Sequence, residues 1–308
     1  MDDSAVIRAE RLTRRYGGRT GFDAVRGVDL SVRRGELFAL LGTNGAGKTS
    51  TLEVLEGLAA PTSGSVRLLG RDPFRERRFV RSRVGILLQD AGFPMDLTVG
   101  ETATTWARTV SRPRPVGDAL DQAGLTGRER VRVRQLSGGE RKKLGLALAI
   151  MGQPEVLFLD EPTAGLDPQS RRHVWHLIDR LLATGTTILL TTHYLAEAAE
   201  LADRLAILHR GRIVALGTPT EIAATRPARI TFSLPTGTPF PELAGATVTV
   251  DGSQAVLTTE DLQQTLESVL RWAGSEGLKL HDLTARPASL EEAFLAIAES
   301  GDGQEVAA

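Results

Sequence analysis

The stretch from Glu36 to Leu52 constrains the fold of this chain more than any other. Leu37-Phe38-Ala39-Leu40-Leu41 is a short, continuous apolar run, the pattern of a strand buried on both faces. Gly42-Thr43-Asn44-Gly45-Ala46-Gly47-Lys48-Thr49 follows at once, and Thr49-Ser50-Thr51-Leu52 opens a helix. Glycines at 42, 45 and 47 can adopt positive φ and let backbone N–H groups close around phosphates, with the positive end of the helix dipole pointing at them. Lys48 reads as the cation that reaches the β- and γ-phosphates, and the Thr49 hydroxyl as a ligand of Mg²⁺. Kinases, GTPases and motors all use such a loop, so by itself it names a ligand class and not a task.

The core implied by that loop is a parallel α/β sheet. Two more buried runs, Val156-Leu157-Phe158-Leu159-Asp160 and Thr187 to Thr191, are each flanked by helical patterns, as such a sheet requires. Before the loop, Val6 to Leu12 and Val28 to Val32 alternate in the manner of edge strands and predict a small antiparallel sheet. Residues from about 93 to 152 read mostly as helix. Within them Leu144, Ala147, Leu148 and Met151 recur at helical spacing, which places a helix start at Ser137-Gly138-Gly139. A composition shift between Gly217 and Pro227 marks a boundary. Beyond it Arg229 to Leu234, Ala246 to Val250 and Ala255 to Thr258 alternate as strands, with a hairpin turn at Asp251-Gly252. Leu262 to Trp272 and Ser289 to Ala298 form amphipathic helices, the second opened by a Ser289/Glu292 capping box. The division expected is 1–220, a small α+β domain at 221–300, and a frayed tail at 301–308.

A chain of 308 residues exceeds what one core usually supports, in keeping with two domains. The formal charge is −1 and the pI near 6.6, so no global basic field exists to hold a nucleic-acid backbone. Arginine clusters at 71–83 and 128–134 read as solvated faces, with lipid headgroups or RNA as the alternative. Cysteine is absent, which excludes disulfides, a thiol nucleophile and cysteine-ligated metals. The acidic start, Met1-Asp2-Asp3-Ser4, does not read as a secretion signal. No window approaches the ~18 apolar residues of a membrane-spanning helix; if the chain serves a membrane process, another chain spans.

Between the glycine loop and the acids Asp160-Glu161 lies Leu136-Ser137-Gly138-Gly139-Glu140. This ordered set resembles the ATP-binding-cassette (ABC) ATPases over roughly the first two thirds of the chain. The resemblance implies an α/β P-loop NTPase domain with an N-terminal antiparallel β subdomain and a helical subdomain (about 93–152), joined to the small C-terminal α+β domain. It also implies Mg-dependent ATP hydrolysis. Asp160 closes a buried strand and is placed to hold the metal, while Glu161 polarises the attacking water. Gln89, after the strand-like Val84 to Leu88, matches the glutamine that touches Mg²⁺ and links chemistry to the helical subdomain. His193 matches the switch histidine that contacts the γ-phosphate. Tyr16 matches the aromatic that stacks on adenine, packing at a strand edge being its other use. Thr43 stands where the family often has proline, and Thr49-Ser50 reverses the usual order, yet a hydroxyl still follows Lys48.

The start of the helix at Ser137-Gly138-Gly139 is a second anion site in a chain that already has a full phosphate cradle. In the family two cassettes pack head to tail, so each ATP lies between one subunit's cradle and the other's Ser137 corner. Asp167, in Gly165-Leu166-Asp167, resembles the loop crossing that interface. Glu140 departs from the glutamine common there; as an acid it either weakens the bridge or caps the helix. His173 and His176, three apart on a helix, have no third ligand nearby and read as a solvated face.

One cassette, no membrane span and a small C-terminal domain resemble the ATPase subunits of bacterial exporters of the drug and antibiotic resistance type, peripheral to the inner face of the cell membrane. Arg286-Pro287-Ala288-Ser289-Leu290-Glu291-Glu292-Ala293-Phe294-Leu295 resembles how those subunits finish. The partners implied are a second copy of the chain and a separately encoded permease, with no nucleic acid. Residues 90–99 would form the permease dock through Phe93, Pro94, Met95 and Leu97, core packing being the other use of these side chains. The rival reading is a soluble ABC ATPase of DNA repair or translation, which would usually carry two cassettes, a coiled-coil insertion or zinc-binding cysteines.

Overall fold

The computed structural model describes residues 5–17, 21–89, 92–235 and 237–302, with side chains described to residue 297. The first four residues, Asp90 and Ala91 of the docking segment, and the tail beyond residue 302 lie outside the described residues. The chain divides into two compact units, Met1–Leu216 and Gly217–Ala308.

The first unit opens with two long strands, β1 (Ala5–Tyr16) and β2 (Phe22–Arg33). It continues through β3 (Leu37–Gly42), α1 (Lys48–Leu55), β4 (Ser63–Leu68), α2 (Arg77–Arg81) and β5 (Val84–Leu87). Next come the helices α3 (Val99–Ala107), α4 (Val116–Gln122) and α5 (Gly138–Ile150). The unit ends with β6 (Val156–Asp160), α6 (Pro168–Ala183), β7 (Thr187–Thr192), α7 (Leu195–Leu201), β8 (Arg204–His209) and β9 (Arg212–Gly217).

The central sheet runs β5-β6-β7-β3-β8-β9, and β5, β6, β7, β3 and β8 are parallel neighbours. Every residue of β3, β6 and β7 is buried, which is why these strands read as unbroken apolar runs rather than alternating ones. The edge pair β8 and β9 had no sequence signal of comparable strength. Its two-residue link, Arg210-Gly211, takes positive φ at both positions (47° and 81°), the backbone a tight hairpin requires.

The antiparallel sheet is three-stranded, β2-β1-β4. Its third strand was not foreseen because Ser63, Gly64, Ser65 and Arg67 are exposed and only Val66 and Leu68 enter the core. The apolar faces of β1 and β2 share a buried cluster with Phe38 and Leu40 of β3 and Leu52 and Leu55 of α1. That packing seats the glycine loop on a rigid floor. The helical region has a separate cluster built on Val99, Leu120, Leu125, Leu144, Ala147, Leu148 and Met151, so the spacing seen along α5 is the stripe it buries.

The second unit contains α8 (Pro219–Ala223), β10 (Ala228–Ser233), β11 (Ala246–Asp251), β12 (Gln254–Thr259), α9 (Leu262–Ser275), β13 (His281–Arg286) and α10 (Leu290–Asp302). Its sheet is antiparallel in the order β11-β12-β10-β13. Ile230, Phe232 and Leu257 pack with Val269 of α9, and Phe240 meets Trp272 edge to face at 4.6 Å. Asp251 pairs with Gln254, so the hairpin turn is Gly252-Ser253, one residue beyond the sequence reading. Gly252, with φ 59°, takes its first central position, where a type II′ turn places glycine. The strand β13 is exposed along almost its whole length and left no apolar pattern to read.

Candidate functional site

Parallel neighbours present their carboxyl ends on one edge of a sheet, where open α/β proteins bind ligands. Here that edge carries Gln89 two residues past β5, Asp160 and Glu161 at the end of β6, His193 just past β7, and the loop 42–49 after β3. The register sets Asp160 beside Thr191 and Leu41 beside Thr192.

The loop is shaped by backbone that only glycine adopts easily. Gly45 and Gly47 have φ 80° and 101°, and a Cβ on Gly47 would lie 2.2 Å from the Ala24 carbonyl oxygen. Helix α1 starts after Gly47 with no side-chain cap, so its first N–H groups have neither an intrahelical acceptor nor a capping oxygen. Lys48 is 7 % exposed, and its ammonium donates to the Gly42 and Thr43 carbonyls at 2.8 and 3.2 Å. Burial holds the Lys48 pKa below the ordinary lysine value, and the neighbouring carboxylates Glu161 and Asp160 oppose that shift. Thr43, Asn44, Gly45 and Thr49 are exposed, Ala46 is buried, and Ser50 is half-buried. Uncapped N–H groups and a buried cation beside exposed loop backbone fit a polyphosphate.

Asp160 and Glu161 are 3 % and 8 % exposed, and one residue organises both. The Thr191 hydroxyl donates to Asp160 Oδ1. The Glu161 N–H donates to the Thr191 carbonyl at 3.0 Å and to its hydroxyl at 3.2 Å. Those bonds accompany a φ of 48° at Glu161, a left-handed backbone costing a non-glycine residue about 1–2 kcal/mol. Burial pushes the Asp160 carboxyl above its usual range, against the Thr191 hydrogen bond. His193 Nδ1 lies 3.0 Å from Glu161 Oε1, and its ring rests 4.1 Å from that of Tyr194. The pairing of His193 with Glu161 was not foreseen from sequence, and neither was the role of Thr191.

Asp160 Oδ2, the Thr49 hydroxyl and the Gln89 side chain accept no protein hydrogen bond among the described residues. Carboxylate, hydroxyl and amide oxygens are hard donors of the kind Mg²⁺ takes. Gln89 is exposed and lines a cavity of about 390 Å³ with Gly138, Arg141 and Lys142 of α5. The same Lys142 lowers the Asp160 pKa electrostatically, so Gln89 stands between the sheet edge and the helical region.

Tyr16 is fastened to α1. Its hydroxyl donates to Glu53 at 2.9 Å and lies 3.3 Å from the Ser50 hydroxyl, and its ring stacks on Phe22 at 5.6 Å. Phe22 is 65 % exposed, so a two-ring aromatic shelf extends toward solvent beside the loop's helix.

The Ser137 corner is separate from this group. Ser137 caps α5 by accepting the Glu140 N–H at 3.2 Å, and Glu140 accepts the Ser137 N–H at 2.9 Å. Arg128 pairs with Glu140 at 2.8 Å. The bond from the Ser137 N–H is the main reason the Glu140 carboxyl lies below its usual range. Of the two readings for Glu140, the structure shows the cap. A Cβ on Gly138 would meet nothing within 4 Å, and one on Gly139 would meet only Leu166, at 3.1 Å. Asp167 caps α6 by accepting from Gln169 and Ser170 at 3.0 and 2.9 Å. Neither Ser137 nor Asp167 forms a hydrogen bond or ion pair with Lys48, Asp160, Glu161 or His193. His173 bonds the Gln122 carbonyl at 3.1 Å, and His176 is exposed.

Residues 25–164 match the family model for the ABC transporter, and residues 228–289 match one for the C-terminal domain of ABC transporter domain-containing protein-like chains. Daunorubicin resistance ATP-binding protein DrrA3 of Streptomyces coeruleorubidus is 37% identical over 318 residues, covering 99% of each chain. Nod factor export ATP-binding protein I of Paraburkholderia xenovorans (strain LB400) is 42% identical over 226 residues, 72% of this chain and 73% of that one. A solved ATP-binding subunit of an ABC transporter superposes with a TM-score of 0.65 at 28% identity, over 71% of this chain and 92% of that chain. A dimeric bacterial ABC transporter cassette superposes at 0.64 and 23% identity, over 69% and 98%, which speaks for the fold. Fold and site together define a P-loop ATPase. The chain belongs to the ATP-binding proteins of ABC transporters, and its reaction is the hydrolysis of ATP.

Proposed function

We propose that two copies of this chain close head to tail on two ATP molecules and so drive export through a separately encoded membrane permease. The observation that carries the dimer is the division of the site. One group of contacts joins Lys48, Asp160, Glu161 and His193, while α5 begins with an open glycine corner that shares none of those contacts. A chain with a complete phosphate loop has use for a second anion-binding helix start only if that start serves another molecule's nucleotide. Export is supported by the relatives, one named for daunorubicin resistance and matched over 99% of its length, another for Nod factor export. That full-length match, second unit included, also weighs against a soluble repair or translation ATPase. No helix among the described residues is long and apolar enough to cross a membrane; in this reading the permease spans and the chain acts from the inner membrane face.

In the hydrolytic step the backbone N–H groups of residues 44–49 and the Lys48 ammonium hold the phosphates, and the ring of Tyr16 carries the adenine. Glu161, its backbone bonded to Thr191, accepts a proton from the attacking water. His193 stays hydrogen-bonded to the same carboxylate and responds to the γ-phosphate. Bound by Thr49, Gln89 and Asp160, Mg²⁺ would neutralise charge on the β- and γ-phosphate oxygens. The permease dock is a groove of about 380 Å³ lined by Ile86, Leu88, Phe93, Pro94, Trp106 and Leu148. Phe93 packs partly into the helical cluster while Met95 is 45 % exposed, so the segment divides its side chains between core and surface.

Glu161→Gln tests the assignment. Turnover should fall ~100-fold or more, the usual contribution of a positioned general base, while ATP binding persists and an ATP-held dimer becomes visible by size-exclusion chromatography. Turnover at the wild-type rate would remove Glu161 from the chemistry.

A further inference from the structure

One deeply buried acid has no part in hydrolysis. Glu56 is the C-cap of α1, is 4 % exposed, and its Oε1 has no hydrogen-bond partner. A polar atom left unpaired at that depth is a cost to the fold, not a support. Glu56 lines a cavity of about 430 Å³ whose walls are mainly apolar, among them Val80, Val84, Ile86 and Pro154. Trp106 lines the same cavity; it is 45 % exposed, and its ring is fixed by the bond from Nε1 to the Leu148 carbonyl at 3.0 Å. Leu58 and Leu88 also line it, 42 % and 44 % exposed.

A carboxyl without a partner, an immobilised aromatic face and apolar walls are the elements that bind an organic cation. Arg81 lines the cavity too, but it is exposed, solvent screens its charge, and it forms no ion pair with Glu56. Burial, aided by Asp160 and Glu53, pushes the Glu56 carboxyl up to about 9, so in the chain by itself the group is neutral at pH 7. A cation entering the cavity would release that proton to solvent and leave a charge that Asp160 feels. Lys48 and Glu56 also stand at opposite ends of the same short helix, which joins the cavity to the phosphate loop.

We propose that Glu56 receives a lysine or arginine side chain from the permease's cytoplasmic docking helix, and that this pairing selects the partner. The inference rests on the dock read under Proposed function, whose groove shares Ile86, Leu88, Trp106 and Leu148 with this cavity. It is tested on the full chain by calorimetric titration with 4-phenylbutylamine and with 4-phenylbutanol, which has the same shape and no charge. The amine should bind at least ten-fold more tightly, and Glu56→Gln should bring the ratio to about one without weakening the alcohol. Equal affinities in the wild type, or a ratio kept in Glu56→Gln and in the apolar Glu56→Met, would overturn it.

A benzophenone amino acid at Leu58, introduced in the native host, separates the two readings. It should join a polytopic membrane protein through a peptide bearing lysine or arginine, and the yield should fall about ten-fold with Glu56→Gln. An unchanged yield with Glu56→Gln removes Glu56 and leaves the dock standing. Failure to join any membrane protein removes the dock. Amine binding without a Glu56-dependent cross-link assigns the cavity to a free amine and overturns the pairing with the permease.

Discussion

Two helices of the first unit begin in glycine, α1 after Gly47 and α5 at Gly138, and their first turns are completed in different ways. At α1 no side chain caps the turn, and the buried ammonium of Lys48 bonds backbone carbonyls of its own loop. At α5 Ser137 and Glu140 cap each other's backbone. Both are dipole ends suited to an anion, but only the first has unanswered donors gathered around a buried cation. The first is built to need its phosphate, whereas the second is complete without one. In the proposed dimer that difference would let one molecule hold a nucleotide firmly and its twin hold it reversibly.

Lys48→Ala tests the first half and should have the largest effect. Loss of a buried, hydrogen-bonded charge typically costs 2–5 kcal/mol, so ATP affinity measured by fluorescent-nucleotide titration should fall by two to three orders of magnitude. Affinity within threefold of wild type would mean that the loop backbone alone holds the phosphates. Ser137→Arg tests the second half. Single-chain nucleotide binding should be preserved while ATP-dependent pairing, followed by light scattering, disappears; pairing that survives would refute the shared pocket. The smallest effect is expected from Thr191→Val, which keeps the strand's shape but removes the hydroxyl joining Asp160 to Glu161. Losing that bond should cost about 1–2 kcal/mol of stability and slow turnover roughly tenfold, read from thermal melts and phosphate release. An unaltered rate would show that strand register alone positions the two acids.

The parts of the site visible in the sequence are those where a polar group interrupts an apolar run. Gly42 and Asp160 close strands buried on both faces and His193 follows one, so their position at the edge of the sheet follows from one-dimensional pattern, whereas a role for His193 came from the resemblance alone. Thr191 escaped because a threonine inside such a strand reads as ordinary β-branched filling, and only the register beside Asp160 reveals its hydrogen bonds to both Asp160 and Glu161. Glu56 escaped for a related reason. In Leu55-Glu56-Gly57 it reads as the polar end of a helix, and nothing local reports that neighbouring elements close over it. In the fold, β3, β6, β7 and the stripe of α5 were legible because burial is uniform or periodic there. The strands β4 and β13 were not, since most of their side chains face water and leave no contrast to detect.

The mutual cap at the start of α5 has a consequence for how the machine cycles. Because the turn is closed from within its own chain, each molecule in the proposed pairing would offer its half of the joint as a finished surface before a twin arrives. Two finished surfaces can meet and separate without either having to refold.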